Sequence, residues 1–235
     1  MRVQVWIVAI SLIFPAVAEA HRDDYIDETF VYMTLEKGAF EMEFWGEARG
    51  TQEHTTEGWY TMAFENGITS RWTLDAAGQM VHKGSGLQFG RFRSETRYRF
   101  ANEGEWPLDL AVSAEYEFEA EAASGGETDQ TLTPRLVLSK DLTPKLNTTV
   151  NLDCPVSLTG GGLSFAYALG VRYPAESFVR VGIELKGQPA ASTATIFPQV
   201  WLALPKERTI KVGTGFGLTD QTDRFVARAV LEMEL

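Results

Sequence analysis

Few residues in this chain are of types that do chemistry. Three histidines (His21, His54 and His82) and one cysteine (Cys154) are its borderline and soft metal donors, and also its candidate bases and nucleophiles. His21 directly follows Ala18-Glu19-Ala20, a small-residue pattern of the kind cut after a secretory leader. Exposed as a first residue, it would offer an α-amine and an imidazole, two nitrogen donors that suit Cu(II). His54 and His82 fall opposite one another if segments 54–65 and 70–80 pair with Phe64 facing Trp72. Two imidazoles at one rim form a second candidate metal site. Each histidine also has a plainer reading, as a terminal or rim residue. A catalytic serine has little support. Ser85 follows His82 across Lys83 and Gly84, and His54 lies beside Thr55 and Thr56, but no Gly-x-Ser-x-Gly elbow occurs. Closeness in sequence does not supply an oriented base. No enzyme and no cofactor are expected. Cys154, after Asp153 and far from Ala20, reads as a silent free thiol. Glu119, Glu121, Glu127 and Asp129, around Ser124-Gly125-Gly126, read as an acidic solvated loop.

The densest constellation is a stripe of charge. Arg91, Arg93, Glu95, Arg97 and Arg99 share one face of an extended segment; Asp109, Glu115, Glu117 and Glu119 share one face of the next. The connection Ala101–Trp106 suggests a register in which Arg99 opposes Asp109, Arg93 opposes Glu115 and Arg91 opposes Glu117. Cross-strand neighbours lie about 4.5–5.5 Å apart at Cβ, so these would be ion pairs. The other faces carry Phe92, Tyr98, Phe100, Leu108, Leu110, Val112, Tyr116 and Phe118. Four arginines are costly against hydrocarbon, so the charged face is expected to line an interior.

Such a stripe needs strands to hold it, and alternation with a period of two runs through most of the chain. Strands are expected at about 39–49, 54–65, 70–80, 87–100, 107–120, 129–139, 145–153, 163–173, 177–186, 193–204, 208–216 and 222–235. Turn signals separate them at Asn66-Gly67, Asn102-Glu103-Gly104, Asp141–Pro144, Pro174-Ala175-Glu176 and Pro205-Lys206-Glu207. Longer connections fall between, at Val81–Gly86, Glu121–Thr128, Cys154–Gly162 and Gly187–Ser192. Turns and loops thus alternate, as they do at the two rims of a barrel. Most of these segments exceed the usual five or six residues of a globular strand and match the 9–11 of a tilted membrane-spanning one. Pro134 and Pro198 fall inside strands, where a bulge or a shifted boundary is expected. On the 177–186 strand, Val179, Val181, Ile183 and Leu185 are expected to face lipid, and Arg180, Glu184 and Lys186 the interior.

Composition sets the outer limits. The chain has 235 residues and a net charge of −11, so the basic face of a nucleic-acid binder is not expected. Its single cysteine excludes a disulfide scaffold and a multi-cysteine zinc site. Arg2, the apolar run Val5–Val17 and Ala18-Glu19-Ala20 mark 1–20 as a cleaved signal peptide. The apolar run is too short for a spanning helix. Residues 21–38 are read as a periplasmic or plug segment and 39–235 as the barrel. Phe30–Glu36 could form a thirteenth strand, but bacterial single-chain barrels have even numbers.

Two segments carry a family resemblance. Phe64-Glu65-Asn66-Gly67-Ile68-Thr69-Ser70-Arg71-Trp72 resembles a strand, tight turn and strand; Gly213-Thr214-Gly215-Phe216-Gly217-Leu218-Thr219-Asp220 is similar to strand-to-turn segments of Gram-negative outer-membrane β-barrel proteins, porin- and transporter-like. The resemblance implies an outer-membrane location, outer-membrane lipid and the barrel-assembly machinery as partners, and passive transport. The expected architecture is an all-β, antiparallel up-and-down transmembrane barrel of about twelve strands, acting as a narrow channel or uptake porin for a small solute. A secreted soluble β-barrel or sandwich that binds a ligand or partner, and a structural barrel without an open pore, are the alternatives. N-terminal sequencing of the exported protein should return His21; Met1 would refute the leader.

Overall fold

The computed structural model describes residues 24–27, 29–84 and 86–235. The leader, His21 and Ser85 lie outside the described residues. Among the described residues, thirteen strands follow in chain order: β1 (Phe40–Gly50), β2 (Thr56–Thr69), β3 (Trp72–Lys83), β4 (Gly86–Arg99), β5 (Asp109–Glu119), β6 (Asp129–Thr143), β7 (Leu146–Asp153), β8 (Val156–Ser157), β9 (Ala166–Tyr173), β10 (Val179–Gln188), β11 (Thr193–Leu204), β12 (Arg208–Gly217) and β13 (Phe225–Glu234). β8 is a two-residue strand that pairs on β6. The other twelve form a closed antiparallel ring. β7 pairs directly with β9, and β1 closes the ring on β13, with Phe44 opposite Leu231. Each of the twelve expected strands has its counterpart. Phe30–Glu36 forms none.

Alternation decides what faces where. On β10, Val179, Val181 and Ile183 are exposed while Arg180 and Glu184 are buried. On β4, Phe92 and Tyr98 point outward, and Arg93, Glu95, Arg97 and Arg99 point in. The arrangement inverts a soluble core: charged side chains are buried and large apolar ones are exposed. Aromatic contacts lie near both rims. Phe40 stacks on Phe64 and Phe100 on Trp106 at one, and Phe89 stacks on Phe118 at the other.

Three local expectations need correction. Asn66-Gly67 is not a turn: β2 runs through it, and the chain reverses at Ser70–Arg71. Gly67 is required for close approach instead. A Cβ there would stand 1.9 Å from the Glu36 carbonyl oxygen. Gly38 N donates to Gly67 O (2.7 Å) and Gly67 N to Ala39 O (3.0 Å), tying the entering chain to the rim. Val81–Gly86 is not a long connection, because β3 continues to Lys83 and β4 begins at Gly86. The prolines cause no bulge. Pro134 stays in register opposite Ala114, where β7 has ended on the other side. Pro198 stays opposite Ile183, and the ladder to β12 omits Phe197 and Pro198 before resuming in the same register.

Placing arginine at the outward Ile183 should cost roughly 2–4 kcal/mol near the bilayer midplane. Urea titration of folding into vesicles measures this, and an unchanged midpoint would contradict the assigned face.

Candidate functional site in the barrel interior

The interior is not empty. Residues 24–27 and 29–35 run inside the ring, and Tyr25, Ile26, Phe30, Val31, Tyr32 and Leu35 are all buried there. Their apolar side chains seat on small apolar patches of the wall. Phe30 and Tyr32 pack on Ala111 and Val137; Tyr25 and Val31 pack on Trp201; Ile26 packs on Phe197 and Val230. Gly170 makes room for Tyr25, whose ring lies 2.5 Å from where a Cβ would stand. The Tyr25 and Trp201 rings meet edge-on, with centroids 5.4 Å apart.

Polar contacts are denser still, because buried main-chain groups must find partners. The Glu184 carboxylate accepts from Asp27 N (2.7 Å) and Thr29 N (2.9 Å). Asn151 accepts from Phe30 N (2.8 Å) and donates to Phe30 O (2.9 Å). Gln199 accepts from Ile26 N (2.7 Å), and Arg228 donates to Ile26 O (2.6 Å). Thr73 Oγ1 accepts from Leu35 N (2.9 Å).

Arg97 is the centre of this network. Its two terminal nitrogens donate to the two carboxylate oxygens of Asp24 (3.1 and 2.7 Å). The same group reaches Val31 O and Met33 O, each at 3.2 Å, and its Nε donates to Glu95 (3.3 Å). The guanidinium groups of Arg97 and Arg135 lie 4.5 and 4.1 Å from the Phe30 ring centroid, within cation–π range. Asp27 is held between Lys186 (3.1 Å) and Arg228 (3.5 Å).

The expected charge stripe lines this interior. Arg93, Glu95, Arg97, Arg99, Asp109 and Glu115 are buried; Arg91, Glu117 and Glu119 are half-buried. The register is two residues away from the expected one. Arg99 faces Ala111, Glu95 faces Glu115, Arg93 faces Glu117 and Arg91 faces Glu119. The cause is the connection from Phe100 to Leu108. Asp109 Oδ1 accepts from Gly104 N (2.8 Å), so that side chain caps the turn and does not meet Arg99. Asn102 donates through its backbone and its amide to Glu105, which holds that carboxyl below its ordinary pKa. Two expected ion pairs persist as diagonal contacts, Arg91–Glu117 (3.0 Å) and Arg93–Glu115 (3.7 Å). Arg135 joins them, paired to Glu95 (3.0 Å) and Asp153 (2.9 Å).

The histidine pair does not form. With Phe64 opposite Ala76, His82 faces Gly58. His54 sits in the β1–β2 turn at φ 63°, hydrogen-bonded to Arg224. Among the described residues, Glu41, Glu43 and Glu232 come within metal-ligating distance of one another, but Lys211 is their counter-ion, paired to both Glu43 and Glu232. Cys154 is exposed. The acidic loop contains a short helix, α1 (Glu121–Ser124), and Asp129 is tied by Thr159 and Ser157 to the β7–β9 connection.

Sequence reasoning missed Asn151, Gln199, Arg228 and Arg135 as site residues, and saw Glu184 only as facing inward. Each occupies an inward position of its strand, which was the available signal. What they would touch was not legible.

No protein-family model and no curated protein matches the chain. Solved structures do. The KdgM porin superposes with a TM-score of 0.63 at 9% identity, covering 83% of this chain and 99% of that one. The fold is a porin fold. The NanC porin gives a TM-score of 0.61 at 12% identity, covering 83% and 100%. An outer-membrane channel from Pseudomonas putida F1 gives 0.61 at 13%, covering 87% and 98%. KdgM has also been solved in complex with disordered oligogalacturonate.

Replacing Glu184 by leucine leaves the amides of Asp27 and Thr29 without their acceptor. A buried unsatisfied group costs about 1–3 kcal/mol. Hydrogen exchange over residues 26–31 should therefore accelerate at least tenfold, while the β1–β13 amides keep their rates.

Proposed function

We propose that this chain is an outer-membrane channel for a small solute and that its residues 24–35 close the lumen from within. One observation carries the reading: a closed ring whose outer face is apolar and whose inner face is charged. Exposed Val181, Ile183, Phe44 and Met62 on long strands suit hydrocarbon, and a ring without edges leaves no unpaired backbone for lipid to meet. A soluble barrel would carry the reverse polarity. The porin and channel neighbours share the ring, which supports uptake as its use.

The packing supports closure. Where Asp24 and Phe30 meet Arg93 and Arg97, the gap left is about 30 Å³, room for a water or two and no solute. The closing segment is held by side chains and is not part of the sheet, so it can leave without breaking a strand pair.

Reconstitution in planar bilayers tests both parts. Wild-type protein should insert from detergent and conduct little. The full-length variant Asp24→Ala/Asp27→Ala, which removes both carboxylates from Arg97, Lys186 and Arg228, should conduct several-fold more. Protein that stays soluble without detergent would overturn the membrane assignment; equal conductance in both forms would overturn closure by this segment.

A further inference from the structure

We propose that the inner wall is a peptide-binding site, and that the solute of this channel is a short peptide carrying acidic side chains, seated where residues 24–35 sit. The proposal rests on the channel reading and names its substrate class.

The wall contacts are mostly to main chain, and they are paired as a peptide requires. Asn151 is the clearest case: a single carboxamide accepts the Phe30 N–H and donates to the Phe30 carbonyl, as a neighbouring strand would. Gln199 and Arg228 do the same for Ile26 from two strands, one taking its N–H and the other giving to its carbonyl. Glu184 spans two amides, those of Asp27 and Thr29. Arg97 reads two carbonyls, those of Val31 and Met33. None of these contacts depends on which side chains the segment carries, so they transfer to another peptide of similar length. What points to a peptide is that the pairing recurs along the segment, at Ile26, at Asp27 and Thr29, at Phe30, and at Val31 and Met33.

The side-chain contacts add selectivity. Arg97 takes one carboxylate through two nitrogens, the paired geometry that favours guanidinium over ammonium, and Lys186 with Arg228 takes a second three residues on. Gly170 opens a notch for an aromatic ring beside Trp201. The groups come from β3, β4, β7, β9, β10, β11 and β13, all parts of the ring itself. The site therefore outlasts the departure of the segment. In this reading the chain's own residues 24–35 are a tethered stand-in for the solute.

The test uses the full-length Asp24→Ala/Asp27→Ala protein in detergent. A fluorescein-labelled peptide of residues 24–35 is titrated by fluorescence anisotropy. Saturable binding is expected. It should weaken at least tenfold when the peptide carries asparagine at both aspartates, and at least tenfold when the protein also carries Asn151→Leu. Succinate and oligogalacturonate, which offer carboxylates without amides, should not displace it at equal concentration. Absence of binding, equal binding of a scrambled peptide, or equal displacement by either acid would overturn the proposal. If the double variant does not fold, the single variant Asp24→Asn takes its place under the same criteria. Conductance is read separately. Binding without conductance would leave the site and remove the channel; conductance without binding would leave the channel and remove the peptide.

Discussion

Closure of the sheet is the constraint on which the rest depends. β1 pairs on both sides, with β2 and with β13, so no strand of the ring presents a free edge. In hydrocarbon that is a requirement, since an unpaired amide or carbonyl there costs several kcal/mol. Closure also ties the two faces together. Strand side chains alternate strictly, so a ring with an apolar exterior sends every other residue inward whatever its character.

The inward set includes Arg93, Arg97, Arg135, Arg172, Arg180 and Arg228, with Glu47, Glu95, Glu115 and Glu184 among their acidic neighbours. A wide pore would leave such groups to water. Here the ring is narrow and holds a chain segment, so they are buried and need partners. Part of the pairing is made along the wall, as in Arg135 with Glu95 and Asp153, or Arg228 with Glu47. Another part is made to the inner segment, through main-chain amides and carbonyls and through Asp24 and Asp27. The inner segment and the wall thus satisfy each other. Neither Phe30 nor Tyr32 would be buried without the ring, and Glu184 would lose two donors without the segment.

This mutual satisfaction explains the glycines that matter. Gly67 stands where the entering chain crosses the rim, and Gly170 where Tyr25 meets the wall. Both were visible in the sequence, and Gly67 was read as a turn because Asn-Gly is the usual hairpin signal. The real cause is a close approach between segments about thirty residues apart, and local propensity carries no record of that.

What the sequence determined by itself was the wall: about twelve strands and their faces, because a period of two is a local property that burial on one side imposes on each strand separately. It also placed Arg93, Arg97 and Glu115 on the inner face and Ile183 on the outer. Register was decided by the folded turns. Asp109 capping Gly104 moved the β4–β5 pairing by two residues, and the reversal at Ser70–Arg71 separated His54 from His82. Only the tertiary structure determined what fills the interior. In the sequence Phe30–Glu36 could pass for another strand, and nothing local says that it lies inside the ring. The inner segment's partners Glu184, Asn151, Gln199 and Arg228 lie more than a hundred residues away in the chain, and only closure of the ring brings them around one peptide.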